Sequence, residues 1–74
     1  MKELKDLKVG VIGAGKMGEA LLRGMLRAEV LPASHLMATV RREERAEILR
    51  RQLEISVSRN NLETARASDV LILA

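Results

Sequence analysis

An α/β fold built on a parallel, doubly wound sheet is predicted by three features of these 74 residues. Short runs rich in β-branched and apolar residues alternate with amphipathic helical segments, a glycine-rich turn follows the first run directly, and Pro or Asn punctuates the later junctions. Alternating segments of this size imply parallel strands joined by right-handed crossovers. The expected element order is β-α-β-α-β-α-β and the expected strand order 3-2-1-4, the N-terminal half of such a sheet.

Residues 7–12, LKVGVI, read as a buried parallel strand that ends at a glycine. The period then changes: Met17, Leu21, Gly24, Met25 and Ala28 recur at helical spacing and form one apolar or small-residue stripe. Pro32 and Ser34 break the chain, and residues 35–40, HLMATV, read as a second strand. Residues 42–53 form a second helix with Ala46, Leu49 and Leu53 inward and most charges outward. EISVS is a third strand, NNLETARA a short asparagine-capped helix, and SDVLILA a fourth strand. Met17, Met25 and Met37 are expected to fill core gaps. Ser56 and Ser58 are strand residues, and Asp69 serves the turn before the last strand.

Composition narrows the class of function. The chain is one domain at most, with a modest core, and 47% hydrophobic and 31% charged residues is a globular balance. The absence of cysteine excludes disulfides, thiolate metal sites and cysteine nucleophiles, and fits a reducing compartment. His35, the single histidine, has no acidic or cysteine neighbour, so neither a metal site nor a catalytic base is expected there, and it reads as an exposed turn residue. MKELKDLK lacks the apolar stretch of a secretory signal, and no run approaches the roughly 20 apolar residues of a membrane span. A cytoplasmic protein without a membrane partner is expected. The net charge is +3, yet no aromatic residue is available to stack on bases, and the arginines between 41 and 51 are interleaved with Glu43, Glu44 and Glu47. A small anionic ligand suits this surface better than nucleic acid.

The glycines supply the anion site. In VGVIGAGKMGEALLRG, Gly13, Gly15 and Gly18 have the G-x-G-x-x-G spacing of a dinucleotide loop. The first glycine makes the tight turn, the second lets backbone approach a pyrophosphate, and the third allows close packing of helix on strand. The helix beginning near Lys16 offers N–H groups and the positive end of its dipole to the phosphates. A Walker loop is excluded because the G-K-[ST] ending is absent.

About 20 residues beyond such a loop, NAD-binding units place a carboxylate on the ribose hydroxyls. Here that position reads Thr39-Val40-Arg41-Arg42. A hydroxyl followed by two guanidinium groups suits a 2′-phosphate, since arginine presents planar, paired donors. A hydrogen bond to a charged group contributes about 1.5–3 kcal/mol, so NADP(H) is expected about ten- to hundredfold tighter than NAD(H). The competing reading of Arg42 is a solvated side chain paired with Glu43 or another neighbour.

With these residues in view, VGVIGAGKMGEALLRGML, VLPASHLMATVRREER and SVSRNNLETARASDVLILA together resemble the N-terminal, Rossmann-type domain of the pyrroline-5-carboxylate reductases over nearly the whole chain. The resemblance implies an NAD(P)H-dependent enzyme that transfers a hydride to the C=N carbon of a cyclic imine, the last step of proline biosynthesis. It implies that Ala14, Gly15, Lys16 and Met17 line the cofactor phosphates, that Thr39 and Arg41 sit at the adenosine ribose, and that Asn61 lies along the adenosine. Asn61 also reads as the N-cap of the helix LETARA. Lys16 departs from the uncharged amide residue often found there, and opposes the helix dipole unless an anion is bound.

Ala74 closes an apolar run with no cap or covering helix after it. Residues 1–74 are therefore expected to be a partial dinucleotide-binding domain. The resemblance places the imine site and homo-oligomer contacts in a helical C-terminal domain beyond residue 74, so no residue here is expected to be catalytic and the chain alone is expected to be inactive. The rival readings are a β-hydroxyacid dehydrogenase, a deazaflavin-linked NADP reductase and a non-catalytic NADP-sensing module.

Overall fold

The computed structural model describes residues 6–74; residues 1–5, most of the segment read as lacking a secretory signal, lie outside the described residues. The chain runs β1 (Val9–Ile12), α1 (Lys16–Arg27), a 3-10 turn (Ala33–His35), β2 (Leu36–Thr39), α2 (Glu43–Leu53), β3 (Ser56–Ser58), α3 (Asn61–Ala67) and β4 (Val70–Leu73). The four strands form one parallel sheet in the order β3-β2-β1-β4, the expected 3-2-1-4. Val9 pairs with Leu36 and Val70, and Met37 pairs with Ser56, so β1 and β2 are central and β3 and β4 are edges.

Strand alternation sends Val9 and Val11 to one face of β1 and Gly10 to the other. The first face packs against α1 and α2. There Val9, Val11, Leu22, Leu36, Ala38, Ala46, Leu49, Leu53 and Val57 form the main core. The opposite face carries α3, which approaches β1 so closely that a Cβ on Gly10 would lie 2.3 Å from Ser68 Oγ and 2.9 Å from Thr64 Cγ2. Gly18 permits a similar approach by α1, since an added Cβ would lie 3.3 Å from Val11 Cγ1, Ala14 Cβ and Ala74 Cβ.

That contact rotates α1 relative to the sequence expectation. Gly18 and Leu22 are buried, with Met25 and Leu26 packed beside the core, whereas Leu21, Gly24 and Ala28 are exposed and Met17 is 83% exposed. Met17 therefore fills no core gap, while Met25 and Met37 are half-buried. The α2 expectation holds, with Ala46, Leu49 and Leu53 buried. His35 lies in the 3-10 turn rather than a strand and is only partly exposed, with Nδ1 buried and without a hydrogen-bond partner among the described residues.

Asn60, not Asn61, caps α3: its side chain accepts the Glu63 N–H at 3.0 Å. Asn61 is the first helical residue. The two neighbouring asparagines are equivalent to a pattern reading, and the backbone at Asn60 is the extended one that a cap requires. Asp69 does serve the turn into β4, accepting the Lys8 N–H at 2.8 Å. Helix α1 ends with Glu29 in the left-handed region at φ 54°, its N–H donating to the Leu26 carbonyl and that of Val30 to the Met25 carbonyl. This is a Schellman closure with glutamate where glycine is favoured.

Candidate functional site

Parallel strands put all their carboxyl ends, and the starts of the helices that follow them, along one edge of the sheet. The loop from Gly13 to Gly15 sits there between β1 and α1. Gly13 has φ +74°, a conformation that side-chain-bearing residues rarely adopt, which accounts for the tight turn. Gly15 has no heavy atom within 4 Å of an added Cβ, so its face is open. Gly18 supplies the helix–strand packing described above. The three glycines thus divide turn, open approach and packing among themselves as their spacing predicts.

Two of the loop N–H groups are committed to β2. Gly13 N–H donates to Thr39 Oγ1 at 3.0 Å and Ala14 N–H to the Thr39 carbonyl at 2.8 Å. Gly15 N–H turns back to the Gly13 carbonyl at 2.7 Å. The first intrahelical bond of α1 runs from Glu19 N–H to the Gly15 carbonyl at 2.8 Å. The N–H groups of Lys16, Met17 and Gly18 consequently have no intrahelical acceptor and form the donor set at the helix start.

Beside the loop lies a cavity of about 350 Å³ lined by Gly13, Ala14, Gly15, Val40, Arg41, Arg42 and Arg45. Among the described residues no carboxylate lines it. Arg41 and Arg42 are exposed and form no ion pair among the described residues, and Arg42 is the N-cap residue of α2. Glu43, the neighbour that could have neutralised Arg42, pairs with Arg50 at 2.8 Å instead. That hydrogen bond and the Arg50 charge hold the Glu43 carboxyl below its usual range.

Three of the expected contact residues take definite places around this site. Thr39 is 1% exposed and its hydroxyl oxygen accepts the Gly13 N–H, so it shapes the loop. Ala14 is 2% exposed with its N–H spent on β2, so its contribution is to the loop's form. Asn61 is exposed at the start of α3 and does not line the cavity. Lys16 and Met17 are exposed at the start of α1, next to the open face of Gly15.

Three residues escaped the sequence reading. Arg45 lines the cavity and pairs with Glu19 of α1. Arg59 donates from Nε to the Arg41 carbonyl at 2.9 Å, fixing the backbone that carries Arg41. Glu19 also accepts from Arg23 Nε at 2.8 Å, and the hydrogen bonds from Arg23 and Arg45 outweigh partial burial to hold its carboxyl below the usual 4.5. The signal for Arg45 was its place one turn into α2 from Arg41 and Arg42, but only the packing of α2 beside α1 reveals its partner. Among the described residues no group of His, Cys, Asp or Glu is placed to hold a metal ion, and no helix is long and apolar enough to cross a membrane.

Comparison with known proteins adds a family. The profile of the family described as "NADP oxidoreductase coenzyme F420-dependent" matches residues 8–74. The chain is 39% identical over 71 residues to a pyrroline-5-carboxylate reductase of Methanosarcina acetivorans, covering 96% of this chain and 26% of that protein. It is 38% identical over 69 residues to pyrroline-5-carboxylate reductase 2 of Bos taurus, covering 92% of this chain and 22% of that one. A crystal structure of Plasmodium falciparum pyrroline carboxylate reductase with NADP bound shares the fold, with a TM-score of 0.79 at 24% identity over 97% of this chain and 25% of its own. The chain spans about a quarter of the length of the curated relatives it matches.

Proposed function

Because the chain belongs to the family described as F420-dependent NADP oxidoreductases, we propose that it forms the adenosine- and pyrophosphate-binding part of a nicotinamide dinucleotide site that prefers NADP(H) over NAD(H). The observation that carries this reading is the open face of Gly15 at a cavity with three guanidinium groups and, among the described residues, no carboxylate in its wall. The residues fit the group: a diphosphate needs close backbone approach and unpaired N–H donors, and a 2′-phosphate needs cations without competing acids. The N–H groups of Lys16 to Gly18 bind the diphosphate, with Lys16 and Met17 flanking it, and Arg41 and Arg42 take the 2′-phosphate. Asn61, at the same sheet edge, contacts the adenosine.

When bound, the dinucleotide supplies the hydride. This chain's residues hold and orient it. In the whole protein the substrate is a cyclic imine, pyrroline-5-carboxylate, reduced to proline; its relatives' names support this reading. The imine site and homo-oligomer contacts lie in a helical domain C-terminal to these residues, the compartment is cytoplasmic, and no residue of this part is catalytic.

Among the described residues, a Cβ on Gly15 meets nothing within 4 Å beyond its chain neighbours, so Gly15→Ala separates binding from folding. It is expected to weaken NADPH by at least about tenfold in a fluorescence titration, the equivalent of one charge-assisted hydrogen bond. The unfolding midpoint should stay unchanged, and unaltered NADPH affinity would refute the site. Arg41→Asp should remove the preference for NADPH over NADH, and an unchanged ratio of dissociation constants would exclude Arg41 as the phosphate contact. In the whole protein, NADPH oxidation driven by pyrroline-5-carboxylate but not by other imines or carbonyl acids tests the substrate.

A further inference from the structure

Strand β3 is one edge of the sheet, and among the described residues no strand lies beyond it. It has three residues, Ser56, Val57 and Ser58. The Ser58 carbonyl accepts the Val40 N–H at 3.1 Å, so Ser58 faces inward to β2. Backbone polar groups alternate from side to side along a strand, and Val57 therefore directs its N–H and C=O to the outer side. The Val57 side chain is part of the core, so the strand cannot turn that carbonyl away without losing packing. An outward pair of this kind is a template on which another extended chain can build.

Helix α2 reaches over this edge. Arg50 donates to the Val57 carbonyl from Nε at 3.2 Å and from Nη2 at 2.7 Å, and its Nη1 donates to Glu43 Oε1 at 2.8 Å. A carbonyl oxygen has two acceptor sites, and Arg50 supplies a donor to each, which leaves none for an incoming N–H. Glu43 stands two turns earlier on α2 and holds the guanidinium from behind. The two side chains are 42% and 57% exposed, so their ion pair adds little to stability by itself. Its consequence is positional: all three nitrogens of the fork are engaged and the guanidinium is fixed over one backbone carbonyl. Arg51, the next residue, pairs only with Glu47 in the i,i+4 manner among the described residues.

We propose that Arg50, positioned by Glu43, is a latch that closes the outer edge of β3 to strand addition, and that the partner it excludes is β3 of a second copy of this chain. The excluded pairing is two-fold and antiparallel. Val57 of each copy lies opposite Val57 of the other, and each N–H donates to the other's carbonyl. Both Arg50 side chains must leave before it forms. Neither β3 nor Arg50 nor Glu43 lines the cavity beside the glycine loop, so the latch is independent of what that cavity binds.

The test is sedimentation of the whole protein at neutral pH over a wide concentration range, with circular dichroism reporting that each variant is folded at the temperature used. The wild type and Arg51→Ala, which loses the same charge, are expected to keep one mass throughout. Arg50→Ala is expected to rise with concentration toward twice the wild-type mass, and its Val57 amide to exchange with solvent hydrogen about tenfold more slowly or less in the associated form. Ser56 is exposed on the same edge, and Ser56→Lys places a charge on each approaching strand. The double variant Arg50→Ala/Ser56→Lys should return to the wild-type mass. An Arg50→Ala protein that keeps the wild-type mass at every concentration overturns the proposal, because Arg50 is then only a strap between α2 and β3. Equal association of Arg51→Ala, or association that leaves the Val57 amide unprotected, overturns it as well. If Arg50→Ala does not fold, Arg50→Lys and Glu43→Gln decide. A lysine cannot fill both acceptor sites at this fixed geometry and a glutamine holds the fork without charge, so each should associate more than wild type, and wild-type behaviour of both refutes the latch.

Discussion

Replacing Gly10 with alanine sets two effects against each other in the central strand. Glycine in a strand interior is the flexible choice, and alanine at a compatible backbone stabilises by roughly 0.5–1 kcal/mol through the unfolded chain. Gly10 has no positive φ, so this gain is open to it. Against it, the new Cβ would sit 2.3 Å from Ser68 Oγ, 2.9 Å from Thr64 Cγ2 and 3.2 Å from Leu71 Cδ2. The Ser68 hydroxyl donates to the Thr64 carbonyl at 2.7 Å, so moving it aside sacrifices a hydrogen bond of about 1 kcal/mol. Thr64 is buried, and pushing α3 off the sheet is an overpacking cost of about 1–3 kcal/mol. The steric cost wins, with a net destabilisation of about 1–2 kcal/mol. For a domain this small that lowers the thermal midpoint by roughly 4–16 °C, read by far-ultraviolet circular dichroism. Ser68→Ala in the same chain removes the nearest atom, so the double variant should be less destabilised than the sum of the two singles. A Gly10→Ala midpoint equal to or above wild type would refute the close packing of α3 on β1. Gly24→Ala is the control: nothing lies within 4 Å of its added Cβ on α1, and a gain of about 0.5–1 kcal/mol is expected.

Other perturbations probe the loop, the caps and the ion pairs. Thr39→Val strands the Gly13 N–H and should cost about 1 kcal/mol in a denaturant titration, while Thr39→Ser keeps the bond and most of the stability. Asn60→Ala should lower stability by about 1 kcal/mol through loss of the α3 cap, and Asn61→Ala should not. Glu29→Gly relieves a left-handed residue and is expected to raise the thermal midpoint by an amount equivalent to about 0.5–1 kcal/mol. The Glu19 carboxyl is lowered by its hydrogen bonds to Arg23 and Arg45, so its pairs stabilise the fold fully above the usual value of 4.5 and lose that contribution as the pH falls through the lower folded-state value. Glu19→Gln should therefore flatten the acid limb of the stability profile, and an unchanged limb would show that these pairs contribute nothing to the fold.

The alternation of segments and the glycine spacing carried the sheet order and the division of labour among Gly13, Gly15 and Gly18, because these depend on local backbone chemistry and on the handedness of crossovers. The face of α1 was not legible. Met17, Leu21 and Met25 make as good a periodic stripe as Gly18, Leu22 and Met25, and the choice falls to the second set because α1 packs so closely on β1 that a Cβ added at Gly18 would lie 3.3 Å from Val11 Cγ1. Asn60 and Asn61 are interchangeable to any pattern, and only the turn after Ser58, whose Oγ accepts the Asn60 N–H at 2.9 Å, selects the cap. The Glu19–Arg45 pair joins residues 26 positions apart on two helices, so it exists only once α1 and α2 lie side by side. At Thr39, the sequence shows a hydroxyl but not its partner, the Gly13 N–H at the neighbouring strand's end.

The two bonds from Thr39 to the glycine loop also fix when the loop can exist. They span 25 and 26 residues, so the turn gains its shape only after β2 has docked on β1. A ligand held there binds the assembled sheet and not the isolated βα hairpin, and it stabilises the whole cooperative unit by mass action. The loop is accordingly complete only in the assembled sheet, and its shape is the shared property of two strands 25 residues apart.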